Sequence, residues 1–305
     1  MAASRGARAA VNASIVIPAY NAERTLPETL RALHAQAGCT PLETIVVDNA
    51  STDGTAHAAR GFGVTVLFES RRGPAAARNC GLNAARGEIV VFCDADTVPS
   101  RRWLAELTRP FDDDGVVIAA GNTLCYPPKT GAERYVQAIG LYDAALAANR
   151  DPFPFAPSLN VAVRAHAARA IGGFNVELMT GEDVDFSHRL KRRFGAAIAY
   201  APRAVLYHHA RATDEELRRQ ARGYGAGVAD LYAMYPDEVG WNAGTALRLL
   251  GVLSTRPLRS AAAQVAAQLG WLDASRAEFL RYQAMWTKSF WLGFYQRVRE
   301  RRIAA

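Results

Sequence analysis

Three short groupings in the chain have residue types and spacings that could do chemistry. Asp94-Ala95-Asp96 places two carboxylates one residue apart at the end of the apolar run Ile89-Val-Val-Phe-Cys93. Carboxylates this close repel unless a cation neutralises them. A hard divalent ion, held by one or two carboxylates and by phosphate oxygens, is the natural resolution. Glu182-Asp183 follows Gly181 at the head of an amphipathic segment, where a carboxylate at a helix N-terminus can take a proton from a hydroxyl. Asp185 reads as a helix-end acid paired with Arg189. His208-His209 follows the short apolar run Val205-Leu-Tyr207, and neutral imidazole suits ions such as Mn. Strand alternation favours His208 as the inward one, because Val205 and Tyr207 then share the opposite face. Arg71, Arg72 and Arg78 lie between the third apolar run and the Asp-Ala-Asp turn, and a guanidinium fork matches phosphate oxygens. Of these, Arg71 and Arg72 read as solvent-facing.

The elements that must position these groups are legible as alternating patterns. Ser14 to Ala19, Thr44 to Asp48, Val64 to Phe68 and Glu88 to Cys93 are continuous apolar runs, the appearance of parallel strands buried on both faces. Helices are expected between them: one carrying Leu26, Leu30 and Leu33 toward a stop at Gly38, a short one reaching Arg60, and one from Pro74 to Ala85. Polar residues collect where the strands end, at Tyr20 and Asn21, at Asp48 and Asn49, and at Asp94 and Asp96. In open α/β sheets ligands bind beyond these carboxyl ends. Further on, a helical stretch is expected near Tyr135 to Ala147, then strand and helix over Asn160 to Ala170, a Gly172-Gly173-Phe174 turn, and short strands at Ala197 to Tyr200 and Val205 to Tyr207. The chain beyond Ala212 reads as helical. The organisation is thus a flexible tail (1–12), an α/β catalytic domain (13–212) and a helical C-terminal region (213–305).

Taken in order, Ser14-Ile-Val-Ile-Pro-Ala-Tyr-Asn21, Ile45-Val-Val-Asp-Asn-Ala-Ser-Thr-Asp-Gly-Thr55, Gly73 through Arg78-Asn79-Cys-Gly81 to Gly87, Val90 to Asp96, Gly172-Gly-Phe174 and Gly181-Glu-Asp-Val-Asp185 resemble the family 2 glycosyltransferases of the GT-A fold. The resemblance spans roughly residues 13 to 210. It implies a mostly parallel central sheet flanked by helices, a nucleotide-diphospho-sugar donor, UDP-linked by expectation, a divalent Mg or Mn ion, and inversion at the anomeric carbon. It also implies roles. Pro18, Ala19, Tyr20 and Asp48 would hold the nucleobase, with Asn49 and Asp53 shaping that loop. Arg78 and Asn79 would contact the donor, Asp94 and Ala95 would lie near the ribose and metal, Asp96 and His208 would ligate the ion, and Asp183 would be the base. Processive members carry Gln-x-x-Arg-Trp after the base, whereas Gln220-Ala-Arg-Gly-Tyr224 has Gly223 in place of the arginine. Single-sugar transfer to a glycan, lipid or small-molecule hydroxyl, in glycan or glycolipid synthesis for the cell envelope, is therefore the expected activity. A catalytically silent nucleotide-sugar-binding or scaffold protein on the same fold is the alternative, opposed by the joint presence of Asp96, Asp183 and a histidine.

Composition narrows the remaining classes. With 305 residues, half hydrophobic and 21% charged, the chain has a globular composition and a size that buries its own core. Cys39, Cys80, Cys93 and Cys125 form no CxxC pair, so neither a zinc site nor a disulfide framework is expected, and a cytoplasmic setting, at the inner face of the plasma membrane if lipid-bound, is the default. The first strand runs into Pro-Ala-Tyr-Asn, not a G-x-G-x-x-G loop, which excludes a Rossmann dehydrogenase. Net charge is +7 and falls mostly on the C-terminal third, where no nucleic-acid module accompanies it. No run reaches the ~18 apolar residues of a spanning helix, since Trp241 to Leu272 is interrupted by Arg248, Arg256, Pro257 and Arg259. Trp241, Trp271, Trp286, Trp291, Tyr282, Phe279, Phe290 and Phe294 alternate with Arg and Lys there. Three readings of these aromatics stand open: a peripheral surface on an anionic membrane, helices packing inward, and a lid over the acceptor.

Overall fold

The structure, a computed structural model, describes residues 12–239 and 243–304, so the expected tail up to residue 11 and Trp241 lie outside the described residues. Ala13–Ala19 (β1), Leu26–His34 (α1), Glu43–Asp48 (β2), Thr55–Arg60 (α2), Thr65–Phe68 (β3), Pro74–Ala84 (α3) and Ile89–Cys93 (β4) alternate as the apolar runs require. There follow Thr97–Pro99 (β5), Trp103–Thr108 (α4), Ile118–Cys125 (β6), Gly131–Ala138 (α5), Ala144–Ala148 (α6), Asn160–Arg164 (β7), Ala165–Ala170 (α7), Glu182–Phe194 (α8) and Ile198–His208 (β8). The C-terminal helices are Asp214–Met234 (α9), Ala243–Gln268 (α10) and Ala274–Ala304 (α11). The chain divides into two compact units, one of residues 12–124, Tyr142–Val176 and Asp183–His208, the other of Cys125–Leu141, Glu177–Glu182 and 209–304.

The first unit is built on one eight-stranded sheet in the order β3-β2-β1-β4-β7-β6-β8-β5. Parallel pairing holds through β3-β2-β1-β4, whereas β7 runs antiparallel to β4 and to β6, and β5 runs antiparallel to β8. The sheet is therefore mixed, its parallel half being the part made by strand-helix-strand repeats. Apolar side chains of both halves, among them Val16, Val47, Val90, Phe92, Val161 and Val163, close one core with Leu82 of α3 and Phe186 and Leu190 of α8. Phe174 stacks on Phe186 at 4.1 Å between ring centroids and meets Phe92 edge-on at 5.2 Å.

Three local expectations change. The strands expected at 197–200 and 205–207 are one strand, β8, which continues through Pro202. Proline is tolerated where no partner needs its missing N–H, and β5 reaches only Leu206 to His208 on its side of β8. The helix expected near Tyr135 to Ala147 is two helices, α5 and α6, divided at Gly140, whose φ of 59° a helix does not continue. Helix α1 stops at His34, before Gly38.

The side chain of Asn160, 1% exposed at the start of β7, ties the antiparallel half together. Its Oδ1 accepts from Trp103 Nε1 (2.8 Å) on α4. Its Nδ2 donates to the carbonyl of Asn122 (3.1 Å) on β6 and to that of Ala204 (3.3 Å) on β8.

In the second unit α9 and α11 touch backbone to backbone. A methyl group at Gly225 would overlap the carbonyl of Phe290, and one at Gly293 would overlap that of Arg222. Asp230 of α9 accepts from Arg297 (2.9 Å) and Arg301 (2.6 Å) of α11. Tyr135 of α5 packs against Phe279, Tyr282 and Trp286 of α11, Tyr224 meets Trp286, and Tyr232 meets Phe294. Most of the aromatics that left three readings open are thus internal to this unit.

The Asn160 hub supplies a direct test of the fold. Asn160→Ala strands a buried indole N–H and two carbonyls, and one stranded buried group costs about 1–3 kcal/mol. Urea denaturation should show a lower midpoint by at least that amount. An unchanged midpoint would show that the antiparallel half does not depend on this side chain.

Candidate functional site

Because β1, β2 and β4 are parallel, their carboxyl ends lie on one edge. Strand β1 sits between β2 and β4, so the chain's path across the sheet reverses there and opens a crevice. The loops leaving β1 and β2 are stitched together. Asn21 Oδ1 accepts from the Thr52 amide (2.9 Å), Ser51 Oγ accepts from the Asn21 amide (3.0 Å), and Asp48 Oδ1 accepts from the Ser51 amide (3.1 Å). Pro18 and Ala19 pair with Val47 and Asp48 in register, and the Ala19 carbonyl accepts from the Asn49 amide (2.8 Å). Asp53 holds the Thr55 amide (3.0 Å) at the head of α2. Asn49 spends its side chain on the next loop, donating to the carbonyls of Glu69 (3.0 Å) and Arg71 (2.7 Å) and accepting from the Gly73 amide (2.8 Å). It shapes the site from behind. Tyr20 is exposed, and the Arg72 guanidinium lies 3.3 Å above its ring centroid.

The Asp94-Ala95-Asp96 turn is pinned from below. Thr29 Oγ1 lies within hydrogen-bonding distance of the Ala95 (3.2 Å) and Thr97 (2.7 Å) carbonyls, and Thr97 Oγ1 donates to the Asp94 carbonyl (2.7 Å). Asp94 faces Arg78 of α3 at 2.9 Å, a guanidinium only 3% exposed. Asp96 faces His208 instead, with Oδ1 3.6 Å from Nε2. The register makes this meeting unavoidable, because β5 begins one residue after Asp96 and pairs Thr97 with His208. His208 is buried at 4% and packs on Tyr142 (4.6 Å), whereas His209 is exposed and stacks on Tyr126 (4.2 Å). Among the described residues no group of three or more His, Cys, Asp or Glu is arranged around one point. Asp96 and His208 make a two-donor set, one hard oxygen and one imidazole nitrogen. That fits a Mg or Mn ion whose other positions go to phosphate oxygens and water.

Asn79 is placed differently from its expected contact with a donor. Its Nδ2 donates to the Phe174 carbonyl (2.8 Å) and its Oδ1 accepts from the Phe174 amide (2.7 Å), so both ends hold the Gly-Gly-Phe turn. Gly173 has φ of 70°, and a Cβ there would overlap Asn79 Oδ1, which leaves no room for a side chain.

Asp183 enters at the first turn of α8. Its Oδ2 accepts from the Ser158 amide (3.3 Å) and its Oδ1 from the Val184 amide (2.9 Å). Burial pushes its carboxyl above the usual carboxylate range, an effect opposed by the nearby Arg78 charge and by these two amides. Asp185 pairs with Arg189 (2.7 Å), whose guanidinium also reaches the carbonyls of Ile171 and Gly173 (both 2.7 Å). Burial pushes the Cys93 thiol, one residue before Asp94, up to about 12, so it is no nucleophile.

Sequence reasoning missed Thr29, Ser158 and Tyr142. A signal existed for Thr29, a polar residue inside the buried stripe Leu26, Leu30, Leu33 of α1, where it needs hydrogen-bond partners. None existed for the Ser158 amide, since any residue offers one.

In the second unit lies Gly223, within the Gln220 to Tyr224 segment of α9. Its carbonyl accepts from Thr180 Oγ1 (2.6 Å), and the Thr180 methyl lies 3.4 Å from where a Cβ would stand. Threonine fills the space beside it.

The sequence profile of glycosyl transferase family 2 matches residues 14–172. Glycosyltransferase AglE of Haloferax volcanii is 30% identical over 218 residues, 68% of this chain and 70% of that one. The chain belongs to glycosyltransferase family 2. This family 2 enzyme is also 29% identical to the pre-mycofactocin glycosyltransferase of Mycobacterium tuberculosis over 74% of its own length and 48% of its relative's. Its fold is that of the mannosyltransferase PcManGT from Pyrobaculum calidifontis, solved with GDP-Man and Mn2+ (TM-score 0.64, 21% identity, 95% of this chain and 88% of that one). It is likewise that of glucosyl-3-phosphoglycerate synthase from Mycobacterium tuberculosis, solved with Mn2+ and UDP (TM-score 0.53, 22% identity, 73% and 79%). The protein is therefore an enzyme of the glycosyltransferase class on a GT-A scaffold.

The glycosyltransferase has a carboxyl at Asp183 that the fold holds at a cost. A raised carboxyl pKa means that the folded chain binds the proton more tightly than the unfolded one, so stability falls as pH rises through the ordinary range and past the raised value. Asp183→Asn should melt at a higher temperature than the wild type at pH 7.5, and the gap should close toward pH 4. A lower melting temperature at both pH values would mean that ionised Asp183 is a structural partner.

Proposed function

We propose that this enzyme transfers a single sugar, with inversion, from a nucleoside-diphosphate sugar to an acceptor hydroxyl, assisted by a divalent ion. The observation that carries the reading is the grouping of Asp96 with His208 at one sheet edge. Asp94, at the same turn, is neutralised by Arg78. In this reading Tyr20 offers the nucleobase a face to stack on, and Asp48 offers the carboxylate Oδ2 to its polar edge. Pro18 and Ala19 form the floor of that pocket, and Ala95, buried in the turn, brings the Asp94 and Asp96 side chains to the ribose and diphosphate. Asp96 and His208 hold the ion, which would neutralise charge growing on the departing nucleoside diphosphate.

Asp183 then acts as general base. It accepts the acceptor hydroxyl's proton as that oxygen attacks the anomeric carbon, the C–O bond to the diphosphate breaks, and the electron pair leaves with the nucleoside diphosphate. The raised carboxyl suits the task, because a base whose pKa lies nearer the working pH takes a proton more readily. Arg78 keeps Asp183 ionised enough to be a base. Gly223 and the threonine beside it, in place of the arginine of processive members, support one transfer per encounter. The acceptor class is a hydroxyl of a glycan, a lipid or a small molecule in cell-envelope synthesis.

Two variants separate the roles. Melting with Mn and a panel of UDP-, GDP- and dTDP-sugars reports donor binding, since a native-state ligand raises stability with the logarithm of its concentration over its Kd. Asp96→Asn should abolish the Mn-dependent part of that shift. Asp183→Asn should keep it while transfer falls by about 10² or more. A full donor shift in Asp96→Asn, or near-wild-type turnover in Asp183→Asn, would overturn the corresponding assignment.

A further inference from the structure

The aromatics of α11 that face inward leave a different surface outward. Helix α10 packs on α11 through its inner side, where Arg256 reaches Thr287 and Gln264 Nε2 donates to the Ala277 carbonyl (2.9 Å). Its opposite side carries Leu258 (71% exposed), Val265 and Leu269, spaced seven and four residues apart so that they share one face, and the turn after it presents Trp271 (79% exposed). On α11, Lys288, Leu292, Tyr295, Arg299, Arg302 and Ile303 recur at three- and four-residue spacing, and all are exposed. This second stripe mixes apolar and basic side chains and contains no acid. The outward apolar residues are not the ones that fill the helical core, and a contiguous exposed apolar face on a monomer marks an interaction surface.

We propose that the α10–α11 hairpin rests on an anionic lipid surface, with the α10 face and Trp271 entering the headgroup boundary and Lys288, Arg299 and Arg302 meeting lipid phosphates. Charge complementarity selects this occupant. In a two-fold contact between copies the same patch faces itself, which would set a stripe holding Lys288, Arg299 and Arg302 and no acid against another like it, whereas an anionic bilayer accepts all three. Tryptophan and tyrosine at the edge of an apolar stripe suit the headgroup layer. Among the described residues no helix is long and apolar enough to cross a membrane, so the hairpin would lie in the interface plane. The inference concerns a surface of the second unit and does not depend on the proposed chemistry.

The full chain should co-sediment with phosphatidylcholine vesicles containing phosphatidylglycerol, much less with phosphatidylcholine alone, and should be released by high salt. The triple variant Lys288→Ser, Arg299→Ser, Arg302→Ser should weaken partitioning by about tenfold or more. The quadruple variant Leu258→Ser, Val265→Ser, Leu269→Ser, Trp271→Ser should do the same by losing apolar burial. Both should keep the wild-type far-ultraviolet circular dichroism and a cooperative melting transition, showing that they fold. Three outcomes would overturn the proposal. One is no binding to anionic vesicles at low salt. Another is vesicle binding that the quadruple variant leaves unchanged, which is charge attraction without insertion. The third is a dimer in light scattering that the quadruple variant dissociates, which makes the face a contact between copies.

Discussion

A buried guanidinium is shared by two of the acids at the site. Asp94 and Asp96 follow β4 with about a third of each side chain in water, Asp183 lies in the first turn of α8, and a carboxylate held near others is costly to charge without a cation beside it. Arg78 stands among them on α3, ion-paired with Asp94 and lowering the cost of charge on Asp183. Arginine suits this position because it stays charged when buried and its planar fork can serve more than one acceptor. Asp94 is thus neutralised by Arg78, and Asp96 stands beside His208.

Arg78 is held in place because α3 is fixed at its entry and at its middle. Asn49 clamps the loop that enters α3 at Gly73, and Asn79, next to Arg78, grips the Phe174 backbone with both ends of its amide. Two asparagines therefore hold a scaffold in place around the charged groups. The Phe174-Phe186 stack then joins that same turn to α8, on which Asp183 sits. Placement of Asp183 and placement of the arginine that lowers the cost of its charge thus share one set of packed rings.

The parallel half of the fold was readable because each strand is an apolar run bounded by a helix, and burial on both faces demands that composition. The antiparallel half was not. Residues 160–164 and 198–208 carry no mark of pairing direction, and Pro202 reads as a break unless one knows that β5 is too short to need its N–H. At the site, residue types revealed the acids, because paired carboxylates near a strand end are chemically conspicuous. Residue roles were less visible: Asn79 has the chemistry of a ligand contact, yet its amide is consumed by main-chain groups distant in sequence. The choice of His208 over His209 was available from alternation alone, since β8 buries Ala204, Leu206 and His208 on one side.

The second unit follows a different physical rule. Its long helices have little amphipathic contrast by sequence, and what fixes α9 against α11 is the absence of side chains at Gly225 and Gly293, which lets the two backbones meet. Close approach of this kind leaves no room for slippage, and the Asp230 clamp to Arg297 and Arg301 locks the axial register by charge. Those arginines are thereby paired within the unit, whereas Lys288, Arg299 and Arg302 of α11 are exposed and lie on another side of the helix. A net charge counted along the sequence cannot separate the two sets. The pairing with Asp230 shows that the charge available to an outside partner is smaller than the count, and the exposure pattern shows that Lys288, Arg299 and Arg302 share a face with exposed leucine, tyrosine and isoleucine.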